Sequence, residues 1–273
     1  MGASAAVGVR APATRMEFRG RPIAGVILAV GLLAGCQAAP ITGRSQFILV
    51  PESQDAQMGL SAYQQIKSES RVSNDPGLNR RVTEVGRRIA AVSPRQDYQW
   101  EFTVFEDEEP NAFALPGGKV GVNTGLFKVA KSDDQLAAVM AHEVAHAIAR
   151  HGAERMSQQL LLQGGLVGLG IGLGSDNASY VQMAAAAATL GIILPFSREH
   201  EAEADHIGLM YMAEAGYDPR AAVELWRNFE SLSAGAPPEF LSTHPSAGSR
   251  IERLEAAMPE ALAVYERSRG SGY

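Results

Sequence analysis

One cysteine, Cys36, stands in 273 residues. No disulfide can form within the chain, and an oxidising compartment would not strengthen the fold by cross-linking. Positive charge is also scarce. The 24 Lys and Arg face 30 Asp and Glu, a formal net charge of -6, which excludes the basic footprint with which proteins hold nucleic acid. No internal repeat is visible, which excludes a solenoid or a propeller. With 46% hydrophobic and 20% charged residues, the composition is neither disordered, collagenous nor that of a multi-span membrane protein. It suffices for one well-buried domain with a short appendage.

What basic charge there is collects at the start. Arg10, Arg15, Arg19 and Arg21 stand against one acid, Glu17, ahead of the apolar run from Ile23 to Leu33. That run is shorter than the roughly 20 residues a transmembrane helix needs, and the layout is that of an export signal. Met16 offers an alternative start. The tetrapeptide Leu33-Ala34-Gly35-Cys36 resembles the lipobox of bacterial lipoproteins. The resemblance implies cleavage before a lipidated Cys36, a membrane anchor there and, with Gln37 rather than Asp next, sorting to the outer membrane, on the periplasmic side of the cell envelope. The expected division is a signal peptide over 1–35, a lipidated Cys and tether over 36–51, and a folded domain over 52–273.

Helical spacing predicts a helix from Glu52 to about Ser68 through Met58, Ala62, Tyr63 and Ile66. Asp75-Pro76 caps a second, with Val82, Val85, Ile89 and Val92 in its stripe. Alternation of Trp100, Phe102 and Val104 predicts a strand, and residues 111–123 read as two short strands about Gly117-Gly118, with Pro116 placing them at a sheet edge. Ser132 and Gln135 form a capping box for a helix that runs to about His151. The Leu-, Ala- and Gly-rich stretch 157–195 is broken by Gln163, Asp176 and Asn177 and reads as a helical hairpin rather than a bilayer span. Ser197 caps a further helix that ends near Gly216, Asp218-Pro219 opens another, Pro237-Pro238 marks a loop, and a last helix covers about Ser246 to Arg267.

His142-Glu143-Val144-Ala145-His146 falls inside the capped helix. Positions four apart lie roughly 40° apart around a helix, so both imidazoles leave one face and can share one Zn²⁺. Glu143 sits roughly 100° from His142, beside the metal and off the ligand face, where a carboxylate can take a proton from water. A catalytic zinc takes three protein ligands. His151 is roughly 140° around from His146 and reads as a helix-end histidine near the last carbonyls. From the residues alone, Glu199, Glu201 and Glu203 are near-equal candidates for the third position.

HExxH followed by Glu201-Ala202-Glu203-Ala204-Asp205 resembles the HExxH/ExxAD zinc metallopeptidases, the family that includes the CAAX prenyl proteases and HtpX. Its periplasmic lipoprotein branch, BepA- and LoiP-like, is the most similar, here without a C-terminal repeat domain. The resemblance implies Glu201 as third ligand, with Asp205 supporting the site from behind. Asn111-Ala112-Phe113 resembles the family's hairpin beside the active-site helix, an edge strand that could take an extended substrate peptide. Ser242-Thr243-His244-Pro245 with Arg250 resembles its HPxxxxR. His244 then has two open roles, stabilising the oxyanion or occupying the zinc's open position, and Arg250 would pair with Asp205. The expected fold is mainly helical α+β of gluzincin type, with a small sheet whose edge strand flanks the active-site helix. The expected function is zinc-dependent endopeptidase, one Zn²⁺ per chain, acting on misfolded or misassembled cell-envelope proteins. The rival readings are a zinc-containing lipoprotein chaperone or assembly factor with little proteolysis, and an inactive binding module.

Overall fold

The computed structural model describes residues 36–172, 196–232, 239–244 and 250–270. The expected signal segment, the Pro237-Pro238 loop and the part of the 157–195 hairpin beyond residue 172 lie outside the described residues. In chain order the elements are β1 (Cys36–Ala38), β2 (Ser45–Phe47), α1 (Glu52–Glu69), α2 (Pro76–Val92), β3 (Glu101–Phe105), β4 (Ala112–Leu115), β5 (Lys119–Asn123), a 3₁₀ turn (Thr124–Lys128), α3 (Asp133–Ile148), α4 (His151–Gly172), α5 (Arg198–Glu214), α6 (Arg220–Leu232), α7 (Glu239–Thr243) and α8 (Arg250–Gly270). The fold is mainly helical with small sheets, as expected. Among the described residues no helix is long and apolar enough to cross a membrane.

The centre of the molecule is α3. Every residue from Gln135 to Ile148 is buried, the condition of a helix covered on all sides. It packs against α5, α2, α6 and β4. Its start is fixed locally: Ser132 Oγ accepts from Gln135 N at 3.1 Å, and Asp133 and Asp134 place negative charge at the positive end of the helix dipole. The capping box is only half made, because Gln135 Oε1 accepts from Lys131 N rather than from the Ser132 backbone.

The end of α3 differs from the expectation. The helix stops at Ile148, and Arg150 takes a left-handed φ of 55°, a conformation that costs a non-glycine residue about 1 kcal/mol. Buried contacts hold it there: Arg150 Nε donates to Asp55 Oδ2 at 3.0 Å and its guanidinium to Val50 O at 2.8 Å. The reversal starts α4 at His151 and folds that residue back beside His146. His151 is therefore not a helix-end histidine on the last carbonyls of α3.

The three-stranded sheet has the order β3-β5-β4, parallel between β3 and β5 and antiparallel between β5 and β4. Gly117 and Gly118, at φ of 84° and 88°, make the tight return between β4 and β5 that a side chain would strain. β4 is an edge strand of this sheet and lies along α3.

The segment expected to be a tether, 36–51, is built into the folded unit, which begins at Cys36. β1 and β2 pair antiparallel, with Gln37 opposite Gln46. Ile48 and Val50 are buried against Ala153 and Met156 of α4. Apolar side chains at 48 and 50, together with a basic one at 44, give this stretch partners that a free linker would lack.

Candidate metal centre

Four elements bring the site together. α3 supplies His142, Glu143 and His146; α5 supplies Glu201 and Asp205; the end of α7 supplies His244; the start of α8 supplies Arg250. The crossing of α3 and α5 is unusually close. A Cβ added to Gly208 would stand 2.8 Å from the backbone N of His142, so glycine there allows Glu201 to reach the two histidines.

His142, His146, Glu201 and His244 are all buried, and one ligand atom from each lies within 4.8 Å of every other. His142 Nε2 is 3.1 Å from His146 Nε2 and 3.3 Å from His244 Nδ1. Glu201 Oε1 is 3.3 Å from His146 Nε2 and 3.0 Å from His244 Nδ1. Zinc–nitrogen and zinc–oxygen bonds of about 2.0–2.1 Å in a tetrahedron set ligand atoms about 3.3–3.4 Å apart. Four of the six edges of the cluster, at 3.0–3.3 Å, come near that length, and its nitrogen and carboxylate donor set suits zinc. The residues present fit the ion.

Each proposed ligand is held from behind. Asp205 Oδ1 lies 3.1 Å from His142 Nδ1, close enough for an ion pair though off the line of a hydrogen bond. Arg250, 2% exposed, donates to Asp205 Oδ2 at 2.7 Å and also bonds Glu201 Oε2, while its guanidinium rests 3.8 Å over the Trp226 ring. Glu201 thus turns Oε2 to the arginine and Oε1 to the histidines. Behind His146 stands His151, Nδ1 to Nδ1 at 2.9 Å, and its far nitrogen lies 3.0 Å from Glu203.

Burial opposes charge on His142, but Asp205 and Glu201 outweigh it and hold its pKa up at about 9. Burial alone dominates at His146, pushed well below the ordinary value, and at His151, pushed down to about 4 in spite of Glu203. Glu201 is also desolvated, yet His146, His142 and His244 outweigh that and keep it far below the carboxylate range. Glu143 goes the other way, since burial pushes it up against the pull of His244 and His142. A carboxylate raised in this way is a better proton acceptor.

Glu143 Oε1 makes no hydrogen bond among the described residues and lies 3.5 Å from His244 Nε2. It borders a cleft of about 260 Å³ that is also lined by Met58, Asn111, Phe113, His146 and His244. The expected substrate strand, Asn111, Ala112 and Phe113, therefore borders the same space as the expected base.

Of the rival acids on α5, Glu199 is exposed and Glu203 turns away from the cluster toward Thr42, Arg44 and His151. Sequence reasoning missed the layer behind His146. It comprises His151, then Glu203, His200 and Glu154, and finally Arg44 from the β1–β2 hairpin, whose guanidinium meets Glu154 Oε1 at 3.0 Å and Oε2 at 2.7 Å. Burial would raise both Glu154 and Glu203, but their histidine and arginine partners hold each near 2. The only local signal was the density of acids and histidines in 199–205, which carries no direction.

The family model of peptidase family M48 matches residues 76–258. The mitochondrial metalloendopeptidase OMA1 of Schizosaccharomyces pombe is 38% identical over 236 residues, 84% of this chain and 68% of its own length. The protein of the same name in Saccharomyces cerevisiae is 33% identical over 256 residues, 84% and 71% respectively. The beta-barrel assembly-enhancing protease of Escherichia coli is 30% identical over 220 residues, 78% of this chain and 45% of its own length. The chain thus spans about two thirds of the two fungal relatives and less than half of the bacterial one.

Proposed function

Because the chain belongs to peptidase family M48 and is a zinc metalloendopeptidase, we propose that His142, His146 and Glu201 hold one Zn²⁺ and that Glu143 is the general base. The observation that carries this assignment is the buried cluster, with His146 Nε2 at 3.1 Å from His142 Nε2 and 3.3 Å from Glu201 Oε1, and with Glu143 beside it on the cleft. When bound, the ion acts as a Lewis acid that acidifies water and polarises a carbonyl. Glu143, desolvated and raised, accepts the proton of the attacking water and passes it to the leaving amine. β4 and the Asn111 that precedes it align an extended peptide by backbone pairing along Asn111, Ala112 and Phe113, which favours unfolded segments over any one sequence. Asp205 orients His142, and Arg250 orients both Glu201 and Asp205.

The substrates we propose are misfolded or misassembled cell-envelope proteins. The relatives' names divide between a mitochondrial enzyme and a beta-barrel assembly protease, so the location rests on the N-terminus: the arginines, the apolar run and Leu33-Ala34-Gly35-Cys36 support export, lipidation at Cys36 and attachment to the outer membrane. Cys36→Ser should release the protein from membranes on fractionation; continued tight association would remove the anchor.

The decisive test is casein cleavage by wild type against Glu143→Gln, with bound zinc counted in both. Loss of cleavage with one zinc retained per chain supports the assignment. His244 favours a second reading, because a histidine at the fourth corner makes a closed, four-ligand set of the kind structural zinc has. On that reading the chain works mainly as an assembly factor that holds unfolded segments and cleaves little. Failure of both proteins to cleave, with zinc bound, would favour it.

A further inference from the structure

We propose that Arg44 is a positioning residue for the metal centre, acting on His146 through Glu203 and His151. The inference rests on the reading that His146 is a zinc ligand. Arg44 lies outside residues 76–258, the part that matches the family, and is separated from Glu203 by 159 positions in sequence.

The contacts form one unbroken line. Arg44 Nε donates to Glu203 Oε2 at 2.7 Å, Glu203 Oε2 lies 3.0 Å from His151 Nε2, and His151 Nδ1 lies 2.9 Å from His146 Nδ1. The proton order along it is forced. If His146 gives Nε2 to the ion, its Nδ1 carries hydrogen and must donate, so His151 Nδ1 accepts. His151 must then carry its hydrogen on Nε2, where a carboxylate is waiting. A ligand histidine is fixed in tautomer and ring angle by the partner of its second nitrogen. Here that partner is itself a histidine, whose orientation depends on Glu203.

Glu203 would not stay in place unaided. Glu154 and Glu203 are both buried, at 3% and 6% exposure, and Arg44 bonds both. Its fork takes the two oxygens of Glu154 while Nε takes Glu203, an arrangement that a planar guanidinium can make and a lysine ammonium cannot reproduce. Thr42 from the same hairpin adds a hydroxyl bond to Glu203. The hairpin that follows Cys36 therefore closes the back of the metal site.

The test uses the full chain with Arg44→Ala and Arg44→Lys. Zinc affinity is read by chelator competition, and the geometry of the site by the visible absorption of the cobalt-substituted protein. Arg44→Ala should bind zinc roughly tenfold more weakly with a shifted cobalt band, and Arg44→Lys should fall between it and wild type. A merely structural role would lower the melting temperature and leave both readings as in wild type; affinity within twofold and an unchanged band would overturn the proposal. If Arg44→Ala does not fold, Arg44→Lys decides by the same two readings. Wild type that takes up no zinc would instead overturn the metal-site reading, whereas normal uptake by wild type and both variants overturns the relay alone.

Discussion

Replacing Gly208 by alanine should damage metal binding more than it damages the fold. The added methyl would stand 2.8 Å from His142 N, 2.9 Å from His142 Cα and 3.0 Å from Ala141 C. Ordinary carbon contacts need about 3.5 Å, so α3 and α5 must part by roughly 0.7 Å. Overpacking of this kind costs about 1–3 kcal/mol. Without the ion the two helices can relax apart. Binding it draws Glu201 back toward His142 and His146, against a tolerance of about 0.5 Å in a functional site. If the strain is felt mainly in the loaded form, zinc affinity falls by about 5- to 150-fold, at about 1.4 kcal/mol per tenfold. Alanine also gains about 0.8–1 kcal/mol of helix propensity over glycine in both forms, so the melting temperature is a poor gauge and chelator competition is the assay. Gly152→Ala, where a Cβ meets nothing within 4 Å, is the control and should bind zinc as wild type does. Wild-type zinc affinity in Gly208→Ala would refute the argument that this close crossing sets the ligand geometry.

Three further outcomes are expected. Glu201→Ala should lose zinc far more severely than Glu203→Ala, and Glu199→Ala, at an exposed position, should not lose it; metal analysis after dialysis that gave another order would remove Glu201 as ligand. His142 is held at about 9 in the metal-free protein, above the unfolded value of about 6.5. Its contribution to stability is therefore complete below about 6.5 and is lost as pH rises through 9, so the melting temperature of the apoprotein should fall over that window. Zinc-loaded protein, which lacks that proton, should not show the loss in calorimetry. His244→Ala should change the rate of peptide cleavage, downward if the imidazole steadies the oxyanion and upward if it blocks the fourth position; an unchanged rate would leave it a structural loop residue.

Much of the frame was legible because it is local. Asp75 and Ser197 cap helices through bonds to backbone N–H groups two or three residues on, and such signals need no tertiary partner. The glycine pair at 117 and 118 marked a tight return for the same reason. What failed was also instructive. The α3 helix was expected to run to His151, and nothing near Arg150 in sequence reports that Asp55 and Val50 O would hold it in a left-handed turn. The stretch over 36–51 was expected to be a tether because its partners, Glu154, Glu203, Ala153 and Met156, lie more than a hundred positions away.

The sequence by itself placed His142 and His146 on one helix face with Glu143 beside them. The spacing of HExxH on a helix converts directly into two imidazoles on one face and a carboxylate beside them. It did not choose among the acids of α5, which needed a resemblance. Glu201 and Glu203 differ by roughly 200° around their helix, so one faces the histidines of α3 and the other faces away, and only the packing of α5 on α3 decides which. The tertiary structure likewise decided that His244 completes the cluster and that Arg44 and His151 stand behind it. Direction around a helix is a local property, but what lies in that direction is set by chain that the local pattern never meets.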